Sequence, residues 1–161
     1  MIQKKICMLG ATGVGKTSLV RQFVQSVFSE KYHSTIGVKV DKKVVRLEKQ
    51  EVTMMLWDLQ GEDEDFKIKP SFLRGASGYI LVVDLTDAKS LDAAKRIQFM
   101  IEDEVGQVPF MVLFNKNDLT DQIELDHEWM VEFAGEKVLR SSAKTGENVD
   151  EAFLGLAKKM V

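Results

Sequence analysis

One cysteine, two prolines and no apolar run of membrane-spanning length set the first limits on this 161-residue chain. A lone Cys7 forbids an internal disulfide, and no zinc-ligand spacing occurs, which fits a reducing compartment. No stretch approaches the roughly 18 apolar residues a span needs, and the first ten residues lack the apolar core of a signal peptide. The last residues, L-A-K-K-M-V, carry no cysteine for prenylation. The expectation is a cytoplasmic protein with no membrane span and no lipidation site in this chain. Net charge is only −3, so bulk attraction to nucleic acid is excluded and any polyanion must be held locally. No repeat, low-complexity tract or linker interrupts the sequence, so residues 1–161 are expected to form a single domain.

Apolar runs instead alternate with helical patterns. K-K-I-C-M-L from Lys4 reads as a first strand, and Leu19, Val20, Phe23 and Val24 recur at helical spacing between Lys16 and Ser26. The runs Val38–Leu47 and Val52–Asp58, separated by a polar turn, read as an antiparallel pair. Y-I-L-V-V-D from Tyr79 and F-M-V-L-F-N from Phe110 are nearly continuous apolar runs, the mark of strands buried on both faces. V-L-R-S at Val138–Ser141 supplies a last short strand. Helical patterns cover Ser90–Val105, Asp126–Ala134 and Asn148–Met160. The pattern predicts a three-layer α/β domain.

In such folds ligands sit beyond the carboxyl ends of the strands. Gly10, Asp58, Asn115, Asp118 and Ser142–Lys144 all fall there. Gly10–Thr17 reads G-A-T-G-V-G-K-T, a full match to G-x-x-x-x-G-K-[ST] between a strand and a helix. Gly13, Val14, Gly15, Lys16, Thr17 and Ser18 are expected to cradle phosphate with backbone N–H groups. Lys16 would reach the outer phosphates, and the Thr17 hydroxyl suits Mg²⁺. Asn115–Asp118 reads N-K-N-D. A carboxylate at Asp118 can accept from both N1–H and the 2-amino group of guanine, whereas adenine offers no matching pair of donors. On their own, N-K-N-D and S-S-A-K-T-G at Ser141–Gly146 also fit capped turns.

Together these motifs resemble the Ras superfamily of small GTPases, nearest to the Rab branch, over Lys4 to the end of the chain. The resemblance also rests on Y-H-S-T-I-G around Thr35, W-D-x-x-G at Trp57–Gly61 and the segment F-L-R-G-A-S-G-Y-I-L-V-V-D-L-T from Phe72. It implies a P-loop NTPase fold with a six-stranded, mostly parallel sheet, one antiparallel strand and about five helices. It further implies GTP/GDP and Mg²⁺ as cofactors. Thr35 would close on Mg²⁺ and the γ-phosphate, Asp58 would hold the metal through water, and the Gly61 N–H would sense the γ-phosphate. Phe28, Asn115, Lys116, Asp118, Ser142, Ala143 and Lys144 would surround the guanine. Effectors, exchange factors and GTPase-activating proteins would engage Val27–Lys39 and Asp58–Gly75.

The chain departs from the family at one place. Where most members read D-T-A-G-Q-E, it reads D-L-Q-G-E-D, so Glu62 stands where a glutamine usually positions the attacking water. Lys16, Thr35, Gly61 and Glu62 are the expected catalytic set. A carboxylate can orient water but lacks the amide donor, and at about 4 Å from a phosphate its repulsion is about 4 kcal/mol at an effective dielectric of about 20. Both a slow GTPase and a binder that has lost hydrolysis stay open. An ATP-dependent small-molecule kinase would share the phosphate loop, but N-K-N-D and S-A-K count against it. Asp63, Glu64 and Asp65 are expected in the first turn of a following helix, where the dipole favours acids. No arginine occurs in Val27–Lys39 to act as a built-in finger.

Overall fold

The computed structural model describes residues 2–29, 35–63, 66–134 and 138–161. Among the described residues six strands form one sheet: β1 (Ile2–Gly10), β2 (Val38–Arg46), β3 (Glu51–Leu59), β4 (Gly78–Asp84), β5 (Phe110–Asn115) and β6 (Val138–Arg140). Their spatial order is β2-β3-β1-β4-β5-β6. β2 runs antiparallel to β3, with Val45 opposite Val52, and every other neighbouring pair is parallel. The short polar turn closes the hairpin through Leu47 N–H donating to the Gln50 carbonyl at 2.8 Å.

Four helices cover the sheet: α1 (Lys16–Gln25), α2 (Lys89–Val105), α3 (His127–Ala134) and α4 (Val149–Lys159). The two-residue period of a strand sorts the core into two layers. On β1, Ile6 and Met8 face α1 and α4, while Cys7 and Leu9 face α2 and α3. β4 repeats the division, with Ile80 and Val82 on one side and Tyr79, Leu81 and Val83 on the other. All seven residues of β4 are buried, which explains its unbroken apolar run. Phe23 of α1 stacks on Phe153 of α4 with ring centroids 4.2 Å apart, tying the helix after the phosphate loop to the last helix.

The expected sheet, antiparallel pair and helical segments are present. The segment after Gly61 differs from expectation. Glu64 and Asp65 lie outside the described residues, Phe66–Lys69 is irregular, and a single 3-10 turn follows at Pro70–Phe72. Lys69 is extended (φ −78°, ψ 127°), as proline imposes on the residue before it. A helix therefore cannot run through Lys69. Four α-helices and two 3-10 turns, the second at Thr120–Gln122, are present among the described residues.

Candidate nucleotide and metal site

The phosphate loop leaves β1 at Gly10 and enters α1 at Lys16. Gly13 (φ 84°) and the N-cap Gly15 (φ 103°) both take left-handed backbone, which other residues resist. A Cβ on Gly15 would come within 2.4 Å of Asn115 Nδ2, so space as well as backbone requires glycine. No side chain caps α1 and no acid occupies its first turn. The positive helix end therefore faces the loop with no acid of its own first turn against it.

Lys16 is buried, and its Nζ donates to the carbonyls of Ala11 at 3.0 Å and Gly10 at 3.3 Å. Burial pulls its pKa down from 10.5 to about 8, opposed by the charge of Asp58. An anion beside Nζ would favour the charged form and raise the pKa again.

At the end of β3, Asp58 is fully buried. Its Oδ2 accepts from Thr17 Oγ1 at 2.6 Å and from Thr35 Oγ1 at 3.3 Å. The two threonine hydroxyls are themselves hydrogen-bonded. Among the described residues, Asp58 Oδ1 is the buried side-chain polar atom with no hydrogen-bond partner. Burial raises the Asp58 pKa above its ordinary value, against the hydrogen bond from Thr17 and the charge of Lys16. One orphaned carboxylate oxygen beside two hydroxyls is a hard-oxygen set that fits Mg²⁺, which takes one or two carboxylates and completes its shell with phosphates and water. No group of three or more His, Cys, Asp or Glu side chains suited to a metal occurs among the described residues. A cation here would depend on the nucleotide for the rest of its ligands.

The other end of the site is built from the residues that follow β5 and β6. Asn115 Nδ2 donates to the Val14 carbonyl at 3.0 Å, and its Oδ1 accepts from Ser141 Oγ and from the Ala143 N–H, each at 3.2 Å. Lys116 Nζ spans the Gly13 carbonyl and Asp84 Oδ2, both at 2.8 Å. Ser142 Oγ donates to Asp118 Oδ1 at 2.7 Å. Gln22 of α1 holds the Ala143 carbonyl at 2.8 Å.

These groups enclose a cavity of about 390 Å³, within the size range of small-molecule and cofactor sites. Gly13, Gly15, Lys16, Thr17, Ser18, Phe28, Thr35, Gly61, Asn115, Lys116, Asp118, Ala143 and Lys144 line it. Val14, Asp58 and Ser142 stand behind the lining and reach it through their bonds to Asn115, Thr17 and Asp118. Glu62 does not line the cavity. Its backbone pairs with the phosphate loop, donating to the Gly10 carbonyl at 3.0 Å and accepting from Thr12 N–H at 3.1 Å. Its buried carboxylate meets Ile68 N–H at 3.4 Å and Lys67 Nζ at 3.8 Å. Of the segment Val27–Lys39, residues 30–34 fall outside the described residues.

Several residues join the site without a sequence signal. Thr12, Gln60 and Asp63 line the cavity, and Gln60 holds Gly37 twice, through its backbone at 2.7 Å and its Oε1 at 2.9 Å. Asp84 could have been noticed, because it ends an apolar strand as Asp58 does.

Sheet order, phosphate loop and oxygen cluster define a P-loop nucleotide-binding domain. The sequence matches the Ras family over residues 5–161. It is 34% identical over 161 residues to Ras-related protein Rab-8B of Homo sapiens, spanning 98% of this chain and 78% of the relative. It is 34% identical over 161 residues to Ras-related protein Rab-13 of Canis lupus familiaris, spanning 98% of this chain and 79% of the relative. GTP-binding protein ypt2 of Schizosaccharomyces pombe is 32% identical over 160 residues, 97% of this chain and 80% of the relative. The chain belongs to the Ras family of small GTPases, on its Rab branch. No helix among the described residues is long and apolar enough to cross a membrane.

Proposed function

We propose that the chain is a switch cycling between GTP and GDP states with slow, Mg²⁺-dependent GTP hydrolysis. The observation that carries this reading is the meeting of Thr17, Thr35 and Asp58, because it joins the phosphate loop, the first switch segment and the end of β3 at one point. Thr17, Thr35 and Asp58 would hold Mg²⁺, which when bound neutralises charge on the β- and γ-phosphate oxygens. Lys16 and the open end of α1 hold phosphate oxygens. Asp118 accepts the guanine N1–H and 2-amino donors, with Ser142 fixing its carboxylate, and Phe28 packs on the ring. Thr35 and Gly61 report the γ-phosphate, and its loss releases them. Effectors and regulators meet this region. Ile36 is 88% exposed beside Thr35, and Val40 and Val44 are exposed on the edge strand β2, a surface that suits a partner.

One observation favours a second reading, a GTP-dependent binder without hydrolysis: the Glu62 carboxylate turns to Lys67 and Ile68 rather than into the cavity. Single-turnover hydrolysis of bound GTP with Mg²⁺, on the native chain and on Glu62→Gln, separates the two. Slow native turnover that changes on substitution supports the switch. GTP held intact for many hours by the native chain, with turnover restored in Glu62→Gln, establishes the binder instead.

A further inference from the structure

Asp84 closes β4, which lies between the strand that leads into the phosphate loop and the strand that ends in N-K-N-D. Both of its carboxylate oxygens are engaged. Oδ1 accepts from the Thr86 N–H at 2.8 Å and from Thr86 Oγ1 at 2.6 Å. Oδ2 meets Lys116 Nζ at 2.8 Å, and the same ammonium donates to the Gly13 carbonyl at 2.8 Å. The backbone of Asp84 is fixed in turn, because its N–H donates to Ser90 Oγ in the first turn of α2 at 2.9 Å. The side chains of Lys116 and Asp84 are 32% and 9% exposed, so this ion pair is screened less than one on the open surface. Lys116 needs such holding: its backbone is left-handed (φ 70°), which a non-glycine residue resists, and its stem is flexible. Gly13 and Lys116 line the cavity, and Asp84 stands behind them.

We infer that Asp84 is a positioning residue for nucleotide retention, acting through Lys116. The role deepens the switch reading and rests on it. With Asp84 in place the ammonium stays on the Gly13 carbonyl, which keeps the phosphate loop and the N-K-N-D segment at one spacing and the cavity between them preformed. Without the carboxylate the lysine stem is free to rotate, and loop and segment part. None of these contacts involves Thr17, Thr35 or Asp58, so Asp84 serves diphosphate and triphosphate alike. Charge alone acts in the other direction. A Lys116 relieved of Asp84 leaves an uncompensated cation on the wall of a site for anions, which would slow release. Positioning and charge therefore give opposite signs for the same substitution.

The test times release of fluorescent GDP and of a fluorescent, non-hydrolysable GTP analogue at fixed Mg²⁺. It uses the native chain, Asp84→Asn, Lys116→Met and the double variant. Asp84→Asn keeps the size of the side chain and removes its charge. It should speed release of both nucleotides about tenfold, the size that a hydrogen bond to a charged group carries. In the Lys116→Met background the same substitution should add less than about twofold, because residues that act through one contact do not add. Where Lys116→Met releases nucleotide too fast to time, the same cycle is read on affinities by calorimetry. Release that is unchanged or slowed in Asp84→Asn overturns the role. So does an equal effect with and without the Lys116 ammonium, which would confine Asp84 to its turn with Thr86. A shift limited to one of the two nucleotides overturns it as well. These outcomes leave the switch reading standing, whereas a native chain that binds neither guanine nucleotide overturns both.

Discussion

Asn115 Nδ2 donates to the Val14 carbonyl across 3.0 Å, so the strand that ends in N-K-N-D also holds the phosphate loop. The same side chain accepts from Ser141 Oγ and Ala143 N–H through Oδ1, which makes it the junction of three loops. Asn115→Ala removes all three bonds from a buried position. At about 1 kcal/mol each, with added cost for donors left unpaired, the loss is about 3 kcal/mol of stability in the nucleotide-free protein. Urea unfolding checks it. Because the loops are also released from one another, GDP dissociation should accelerate more than tenfold.

Gly15→Ala should be worse for binding than for stability. The substitution asks a non-glycine residue to adopt φ 103° and drives a Cβ to 2.4 Å from Asn115 Nδ2. Strained backbone alone costs about 1–3 kcal/mol. Relief requires the loop to flatten, which turns its N–H groups away from the cavity. We expect a folded protein by circular dichroism, a melting temperature lowered by several degrees, and no measurable guanine-nucleotide binding by calorimetry.

The sheet was legible because burial on two faces writes itself as continuous apolar runs at β4 and β5, and the hairpin β2–β3 as loose alternation around a polar turn. The phosphate loop was legible because its glycines answer a steric demand that no other residue meets. What escaped were polar side chains outside the motifs, whose direction is set only after the backbone is placed. Glu62 occupies the family's water-positioning site in sequence, yet its carboxylate lies against Lys67 and Ile68. Thr12 and Gln60 carry no pattern that distinguishes a bonded side chain from a solvated one. The helix anticipated after Gly61 was argued from its acids. Pro70, nine residues after Gly61, sets the extended Lys69 through which no helix can run.

Asp58→Asn should separate binding of the cation from folding. The native carboxylate is buried with Oδ1 unpartnered, a cost the protein bears in the absence of metal. Removing the charge should stabilise the nucleotide-free, metal-free protein by about 1 kcal/mol, seen as a melting point raised by a few degrees. The same variant should lose the Mg²⁺-dependent slowing of GDP release. In the native chain, chelating Mg²⁺ should accelerate release strongly. In Asp58→Asn, chelation should make little difference.

Cys7 offers a pH dependence remote from the nucleotide. It is fully buried against the α2 side of the sheet, and burial pushes its thiol up from 9.0 to about 11, only partly opposed by Lys5. Between pH 9 and pH 11 the unfolded chain sheds this proton while the folded chain keeps it, so the folded state binds more protons and stability falls as pH rises through that window. Below pH 9 both states hold the proton and the effect vanishes. Stability measured by urea at intervals across the window should therefore decline more steeply for the native chain than for Cys7→Ala, whose smaller side chain lowers stability uniformly by leaving a small cavity. Thiol labelling gives an independent reading. At pH 8 Cys7 should react with a disulfide reagent only after urea unfolds the chain, because the folded thiol is neither exposed nor ionised.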